Sequence, residues 1–150
     1  MKKLRLYLDC CCYYRIFDDL SHPKIRHECE AILTILNKRE NGEWEIFSSD
    51  VLDDEIFRAS CPIKKLKILS LYKSTAHIEI NNEIVERAEE LQENYGIKPF
   101  DALHLSSAEH GEADILLTTD RKFINRALAS DTKIKILNPL MWLMEVLFDD

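Results

Sequence analysis

The sequence predicts an α/β fold, a three-layer sandwich in which a central, mainly parallel sheet of four to five strands carries helices on both faces. The alternation of two kinds of segment predicts it. Short apolar runs of strand length alternate along the chain with longer segments whose apolar residues recur at helical spacing. This alternation is typical of parallel strands joined by crossover helices. The length of 150 residues fits one domain, which we expect to span residues 1–150.

The first half of the chain begins with an apolar strand, Leu4 to Asp9, and continues mainly through helices. The residues Asn41-Gly42 end the first long helix, and Ser48 or Ser49 caps the next one. The elements predicted up to residue 80 are a helix over 24–39, a strand over 44–47, a helix over 49–59, a helix from Pro62 with Ile63, Leu66 and Leu69 facing inward, and an extended segment over 76–80.

The second half contains the clearest buried strand, residues 115–119, which ends at Asp120. Glycine or proline marks most of the element boundaries around it. The predicted elements are a helix from Asn81 or Asn82 to Gly96, a helix over 100–110 between Pro99 and Gly111, the strand 115–119, a helix over 121–129, a strand over 134–137 and a last helix from Pro139.

The composition argues against several other classes of protein. Three glycines and four prolines are too few for a linker-rich chain, and no apolar run reaches the ~20 residues of a membrane span. The amino-terminal segment turns polar at Asp9, too early for a signal peptide. Five cysteines form no CxxC pair, and their number is odd. We therefore expect a reduced, cytoplasmic protein rather than a disulfide framework or a zinc protein.

The charge is unevenly distributed. The formal net charge of −7 argues against binding nucleic acid by bulk charge alone. Residues 1–75 carry 13 basic and 12 acidic side chains, whereas residues 76–150 carry 7 basic and 15 acidic ones. A solvated helix face explains many of these glutamates, so the informative acids are those at positions that solvation does not explain.

Four acids are of that kind. Asp9 and Asp120 follow buried strands, at the edge where open α/β sheets bind ligands, although either could instead cap the next helix. Glu55 lies in the apolar stripe of its helix beside Ile56, where a rim position or a buried salt bridge is the alternative. Asp101 shares an apolar helix face with His104, and an N-cap is again the alternative.

Together these acids predict a metal site. Four carboxylates brought to one edge of a sheet would repel one another, and a hard divalent cation relieves that repulsion. Carboxylates and water are the ligands that Mg²⁺ or Mn²⁺ prefers. Because the chain has no phosphate-binding glycine loop, the pattern favours metal-assisted hydrolysis of phosphate esters.

The order of these motifs along the chain resembles the PIN domain family, and the resemblance spans nearly the whole sequence. Its most specific segments are Asp-Ala-Leu-His and Thr-Thr-Asp. The motifs that carry it are Leu8-Asp9, Glu55-Ile56, the run from Lys98 to Leu105, and the run from Leu117 to Phe123.

The resemblance implies a PIN-like nuclease with Mg²⁺ or Mn²⁺ as cofactor. It places the catalytic and metal-binding acids on Asp9, Glu55, Asp101 and Asp120, and a supporting hydroxyl on Thr118. The chain departs from the family pattern in two places. Cys10 and Cys11 stand where hydroxyl or amide residues commonly support the first acid, and Lys122 stands where many members have a further aspartate.

These residues lead to the hypothesis of a metal-dependent endoribonuclease. Four basic residues flank the motifs and are candidates for contacts with the RNA backbone, with ordinary surface charge as the favoured alternative: Arg15, Lys98, Arg121 and Lys122. Arg15 could instead pair with Asp18 or Asp19. For His104 the favoured interpretation is a hydrogen-bonded packing residue rather than a general base.

The resemblance further implies single-stranded or structured RNA as substrate, a homodimer, and an antitoxin partner, since many PIN domains are ribonuclease toxins of toxin–antitoxin pairs, such as the VapC group. The alternative is a non-catalytic PIN-like module that binds RNA or protein. A phosphatase of the haloacid dehalogenase type is disfavoured because its second aspartate would fall on Cys11. A receiver domain is disfavoured because its paired acids are absent.

Overall fold

The computed structural model describes residues 3–58, 61–72, 74 and 76–148. Strands and helices alternate as the sequence predicts. The strands are β1 (Leu4–Leu8), β2 (Trp44–Ser49), β3 (Ala76–Ile78), β4 (Ile115–Leu117) and β5 (Lys135–Leu137). The helices are α1 (Cys10–Arg15), α2 (Pro23–Glu40), α3 (Asp50–Phe57), α4 (Pro62–Leu71), α5 (Asn82–Tyr95), α6 (Pro99–His110), α7 (Arg121–Leu128) and α8 (Pro139–Phe148).

The five strands form one sheet in the order β3-β2-β1-β4-β5, and every pairing is parallel. The predicted mainly parallel sheet is thus confirmed and is wholly parallel among the described strands. The chain leaves β1 toward β2 and β3, while β4 and β5 lie on the other side of β1. The boundary between β1 and β4 is therefore the topological switch point, where open parallel sheets bind ligands.

Apolar side chains cover both faces of this sheet, which confirms the three layers. Leu6 and Leu8 of β1 face a layer that contains α1, α2 and α8, together with residues of α3 and α4. Tyr7 faces the opposite layer, built from α5, α6 and α7. This division follows from the alternation of side chains along a strand. Gly96 ends α5 in the left-handed conformation (φ 67°), as predicted.

Two local expectations differ from the structure. Residues 10–15 form α1, which the sequence analysis does not predict; the fully buried Cys12 and Tyr13 anchor it to the core. In α4, Ile63 and Leu66 were expected to face inward, but they are 66% and 68% exposed. Ile68, on the opposite side of that helix, is buried instead. The predicted end of α3 at residue 59 lies outside the described residues.

No helix in the described part of the chain is long and apolar enough to cross a membrane.

Candidate metal centre

The centre of the site is Asp9, at the carboxyl end of β1. Its backbone N–H donates to the Leu117 carbonyl at 2.9 Å, which ties the end of β1 to the end of β4. The side chain is almost fully buried. Its Oδ1 accepts a hydrogen bond from the Cys10 N–H at 2.7 Å, so Asp9 is the N-cap of α1. The helix amino terminus thus stabilises a buried negative charge at the switch point.

Thr118 connects Asp9 to Asp120. The Thr118 hydroxyl donates to Asp9 Oδ2 at 2.9 Å and accepts from the Asp120 N–H at 3.1 Å. Asp120 caps α7, and its Oδ1 accepts from the N–H groups of Lys122 and Phe123. Both acids therefore cap helices, the alternative that their positions allowed. No described residue donates to Asp120 Oδ2, so that oxygen is available to a ligand.

Glu55 comes from α3 and meets His104 from α6. The His104 side chain is fully buried, and its Nε2 lies 2.7 Å from Glu55 Oε1 and 3.5 Å from Asp9 Oδ1. Its Nδ1 lies 2.6 Å from the Tyr7 hydroxyl. Although burial lowers the pKa of His104, the hydrogen bond to Glu55 and the neighbouring carboxylates raise it above its ordinary value. His104 is thus a hydrogen-bonded buried residue, as the favoured interpretation had it.

Asp101 lies in the first turn of α6, one helical turn before His104. Burial, followed by the negative charges of Asp9 and Asp120, raises the pKa of its carboxyl group to about 7. Glu55 contributes in the same direction, and His104 opposes it. No described residue donates a hydrogen bond to this carboxylate. The four predicted acids therefore form one electrostatic group, contributed by β1, α3, α6 and the start of α7.

The cysteines beside Asp9 lie within this group. Cys11 Sγ is 3.5 Å from Asp9 Oδ2 and 3.3 Å from Thr118 Oγ1, and it accepts a hydrogen bond from the Thr119 N–H at 3.4 Å. Burial and the charges of Glu55 and Asp9 raise the pKa of the Cys10 thiol. Cys11 thus occupies the supporting position that the resemblance assigns to it, as a thiol in place of a hydroxyl.

A cavity of about 440 Å³ opens onto the site. It is lined by Cys10, Cys11, Tyr14, Glu55 and Arg58. The sequence analysis did not single out Arg58, although it stands three residues after Glu55, where a helix brings two side chains to one face. Its guanidinium pairs with Asp54 at 3.0 Å and lies 5.6 Å from the centre of the Phe100 ring.

The four predicted basic residues divide into two groups. Lys98, Arg121 and Lys122 are exposed, and none of them forms an ion pair with another described residue. Arg15 instead pairs with Asp18 at 2.8 Å and with the buried Glu28 at 3.1 Å. The pair with Asp18 is one of the alternatives that the sequence left open for Arg15. The pair with Glu28, which links α1 to α2, was not predicted.

A second cluster lies on the same α3 helix but belongs to another surface. Asp50, Asp53 and His77 bring ligand atoms within 4.8 Å of one another. Asp50 already accepts from the Ile80 N–H and bonds to His77 at 2.8 Å, and its pKa is lowered, first by His77 and then by that N–H. The acid is therefore satisfied within the protein.

The site around Asp9 suits a hard divalent cation. Beside His104, oxygen atoms of the Asp9 and Glu55 carboxylates lie within 4.8 Å of each other. Asp101 and Asp120 add further carboxylate oxygens, and these are the donors that Mg²⁺ and Mn²⁺ favour. Within the described chain, no lysine or arginine forms an ion pair with these carboxylates. Burial, and then the charges of Asp9 and Asp120, raise the pKa of Asp101.

Comparisons with known proteins point to one family and one fold. The family model for the PIN domain matches residues 24–128. No curated protein matches the sequence.

Two solved structures resemble the chain over nearly its whole length. VapBC2 from Rickettsia felis, bound to a DNA fragment from its promoter, is 20% identical with a TM-score of 0.58, covering 90% of this chain and 98% of that one. FitAcB from Neisseria gonorrhoeae is 14% identical with a TM-score of 0.57, covering 89% and 97%.

Proposed function

The chain belongs to the PIN domain family, and from that premise we propose that it is a metal-dependent endoribonuclease that hydrolyses RNA phosphodiester bonds. The observation that supports this proposal is the convergence of four carboxylates at the switch point of the sheet. Burial raises the pKa of Asp101 most, and the charges of Asp9, Asp120 and Glu55 raise it further. Such a group is stabilised by a cation that the described side chains do not provide.

In this proposal Asp9, Asp101 and Asp120 hold Mg²⁺ or Mn²⁺, directly or through water. When bound, the ion supplies Lewis-acid stabilisation of the phosphate and makes water more acidic. Glu55, whose side chain is 34% exposed at the cavity, ligates the ion or orients water toward the phosphodiester. Thr118 and Cys11 fix the Asp9 carboxylate through their contacts with Oδ2.

Substrate binding then depends on local positive charge, because the chain as a whole is acidic. Lys98, Arg121 and Lys122 are exposed beside the acidic motifs and contact the RNA backbone in this proposal. Arg58 adds a cation at the cavity mouth. Arg15 contributes less, because its guanidinium is occupied by Asp18 and Glu28.

We also propose that the protein is the toxin of a toxin–antitoxin pair and acts as a homodimer in the cytoplasm. The antitoxin is supported by the likeness to VapBC2 and FitAcB. The reducing compartment is supported by the five cysteines, all of which are free thiols. Light scattering of the purified protein tests the dimer, and co-purification with the product of the adjacent gene tests the antitoxin.

The nuclease proposal is tested by cleavage of single-stranded RNA. We expect cleavage with Mn²⁺ or Mg²⁺ and none with excess EDTA. Asp101→Asn should lower the rate by about 10³-fold, because a bound ion contributes several kcal/mol to the barrier. Asp131→Asn, a matched change at an acid outside the site, should leave the rate unchanged. Full activity of Asp101→Asn would refute the proposal, and RNA that is bound but uncut would support the non-catalytic module.

A further inference from the structure

A line of buried polar groups runs from the middle of the sheet to Glu55. The Tyr7 hydroxyl lies 2.7 Å from Ser49 Oγ and 2.6 Å from His104 Nδ1, and His104 Nε2 lies 2.7 Å from Glu55 Oε1. Tyr7, Ser49 and His104 have no exposed surface. The line is therefore buried along most of its length and ends at a side chain that lines the cavity.

We propose that Tyr7 and His104 are positioning residues that hold Glu55 at the metal centre, with His104 acting as a hydrogen-bond donor and not as a metal ligand. This inference rests on the proposed function, since it assigns their effect to metal binding. Of these two residues, Tyr7 lies outside every acidic motif, and His104 gains a role beyond that of a packing residue.

The acceptor at the end of the line fixes the proton on the imidazole ring. A carboxylate oxygen only accepts hydrogen bonds, so a distance of 2.7 Å from Glu55 Oε1 requires a proton on His104 Nε2. A protonated Nε2 has no lone pair to offer to a cation. In the tautomer that carries its proton on Nε2, Nδ1 keeps a lone pair and accepts from the Tyr7 hydroxyl, so Tyr7 is the group that selects this tautomer.

The other end of the line is anchored in backbone structure. Ser49 is the N-cap of α3, and its Oγ accepts from the Leu52 N–H at 3.0 Å. The Ser49 hydroxyl can therefore donate to Tyr7, and every bond in the line runs in one direction toward Glu55. Glu55 also belongs to α3. That helix is therefore connected to Tyr7 of β1 twice, directly at Ser49 and through His104 at Glu55.

Removing the hydroxyl oxygen of Tyr7 tests the proposal. Tyr7→Phe leaves His104 Nδ1 and Ser49 without their shared partner but keeps the ring. We expect the Kd for Mn²⁺, measured by calorimetry, to rise about tenfold, the lower end of the range for residues that orient a metal ligand. In a Glu55→Gln background the same change should have no further effect, because Tyr7 acts through Glu55.

Tyr13→Phe is the matched control. Tyr13 is also a fully buried tyrosine, but its hydroxyl has no hydrogen-bond partner within the described structure. This variant should bind Mn²⁺ as the wild type does. Melting of all variants in EDTA separates a loss of stability from a loss of metal affinity.

Two measurements on the wild type need no variant. The ¹⁵N spectrum of the metal-free protein should show a proton bonded to His104 Nε2. The electron spin echo of bound Mn²⁺ should show no coupling to a directly ligated ¹⁴N nucleus.

A directly coupled nitrogen, a proton on Nδ1 alone, or unchanged Mn²⁺ affinity in Tyr7→Phe would overturn the positioning role and leave the nuclease proposal standing. Additive effects of Tyr7→Phe and Glu55→Gln would have the same meaning. A wild type that binds no Mn²⁺ would overturn both.

Discussion

Two acidic clusters of this protein differ in whether the chain supplies a cation. Around Arg87, the carboxylates of Glu109, Glu90 and Asp131 lie 2.8, 2.9 and 2.7 Å from guanidinium nitrogens. Around Asp9, the carboxylates of Glu55, Asp101 and Asp120 face no arginine or lysine in an ion pair of that kind within the described chain. The buried His104 contacts Asp9 and Glu55 through its Nε2.

The electrostatics of the two clusters follow from this difference. The hydrogen bond from Arg87 lowers the pKa of Asp131, and Glu109 in turn raises the pKa of Arg87. At the other cluster, burial and neighbouring charges raise the pKa of Asp101 to about 7. The first cluster is a closed ion-pair network that joins α5, α6 and the segment after α7. In the second cluster, no described arginine or lysine forms an ion pair with the acids.

Acidic residues of the second half of the chain therefore occur in both clusters. Acids that surround an arginine stabilise the fold, and acids without a cation form the candidate site. Four experiments can break or sharpen this distinction.

The largest effect is expected from adding a divalent cation. At pH 8, Mn²⁺ at 100 times its Kd should raise the free energy of unfolding by about 2.7 kcal/mol, because the ion binds only the folded site. Thermal unfolding measures the effect, and EDTA should reverse it. Asp131→Asn should keep the full Mn²⁺ effect, whereas Asp101→Asn should lose most of it. An equal response of these two variants would contradict the distinction.

The second largest effect is expected from removing the positive charge of Arg87. Arg87→Gln leaves Glu109 and Asp131 without their charged partner, which should cost about 2 kcal/mol, less than for a fully buried pair because solvent screens part of the charge. Chemical denaturation measures the loss. The stabilisation by Mn²⁺ should be the same as in the wild type, and a reduced Mn²⁺ response would show that the two clusters are coupled.

The pH dependence should have opposite signs in the two clusters. The folded-state pKa of Asp101 is raised to about 7, so the folded state binds the extra proton and stability without metal should fall as pH rises from about 4 to 7. Solvent screening limits the change to about 1 kcal/mol. The pKa of Asp131 is lowered, so its contribution is present above its unfolded pKa and is lost as pH falls through the folded one.

Urea denaturation across this pH range measures both contributions. Asp101→Asn should flatten the fall toward neutral pH, and Asp131→Asn should not. The stabilisation by Mn²⁺ should also be smaller at pH 5.5 than at pH 8, because the proton on Asp101 competes with the ion. A Mn²⁺ effect independent of pH would remove Asp101 from the set of ligands.

The smallest effect is expected at the rim of the Arg87 cluster. Glu90 pairs with Arg87 one helical turn away, but about half of its side chain is exposed. Glu90→Gln should therefore change the free energy of unfolding by no more than about 0.5 kcal/mol. A loss as large as that of Arg87→Gln would show that the network depends on all of its members equally.

Much of this architecture could be predicted from local sequence. Asp9 and Asp120 follow apolar runs of strand length, and the structure places both at the switch point. Asp101 and Glu55 interrupt apolar helix faces, which marked them as unusual. The failures came where tertiary packing decides, as in α1, whose Cys12 and Tyr13 are buried by the surrounding layers, and in α4, where Ile68 faces inward instead of Ile63 and Leu66.

Tyr7 and Ser49 were not predicted as site residues for a similar reason, although Ser49 was correctly predicted as a candidate cap of α3. A tyrosine in an apolar strand and a serine before a helix are each explained by burial or capping. The position of Tyr7 gave a weak indication that it belongs to the site, because Tyr7 stands two residues before Asp9 and shares its side of the strand. The link to Glu55 needs His104, which comes 97 residues after Tyr7 along the chain.

By itself, the sequence determined the alternation of strands and helices, the identity of the four acids and the excess of negative charge. These are local properties, set by side-chain periodicity and residue type. Only the tertiary structure decided which acids meet an arginine and which do not, and how a buried tyrosine reaches Glu55. The reason is that electrostatic and hydrogen-bond energies depend on distances of a few ångströms between residues far apart in sequence, and the packing of the sheet fixes those distances.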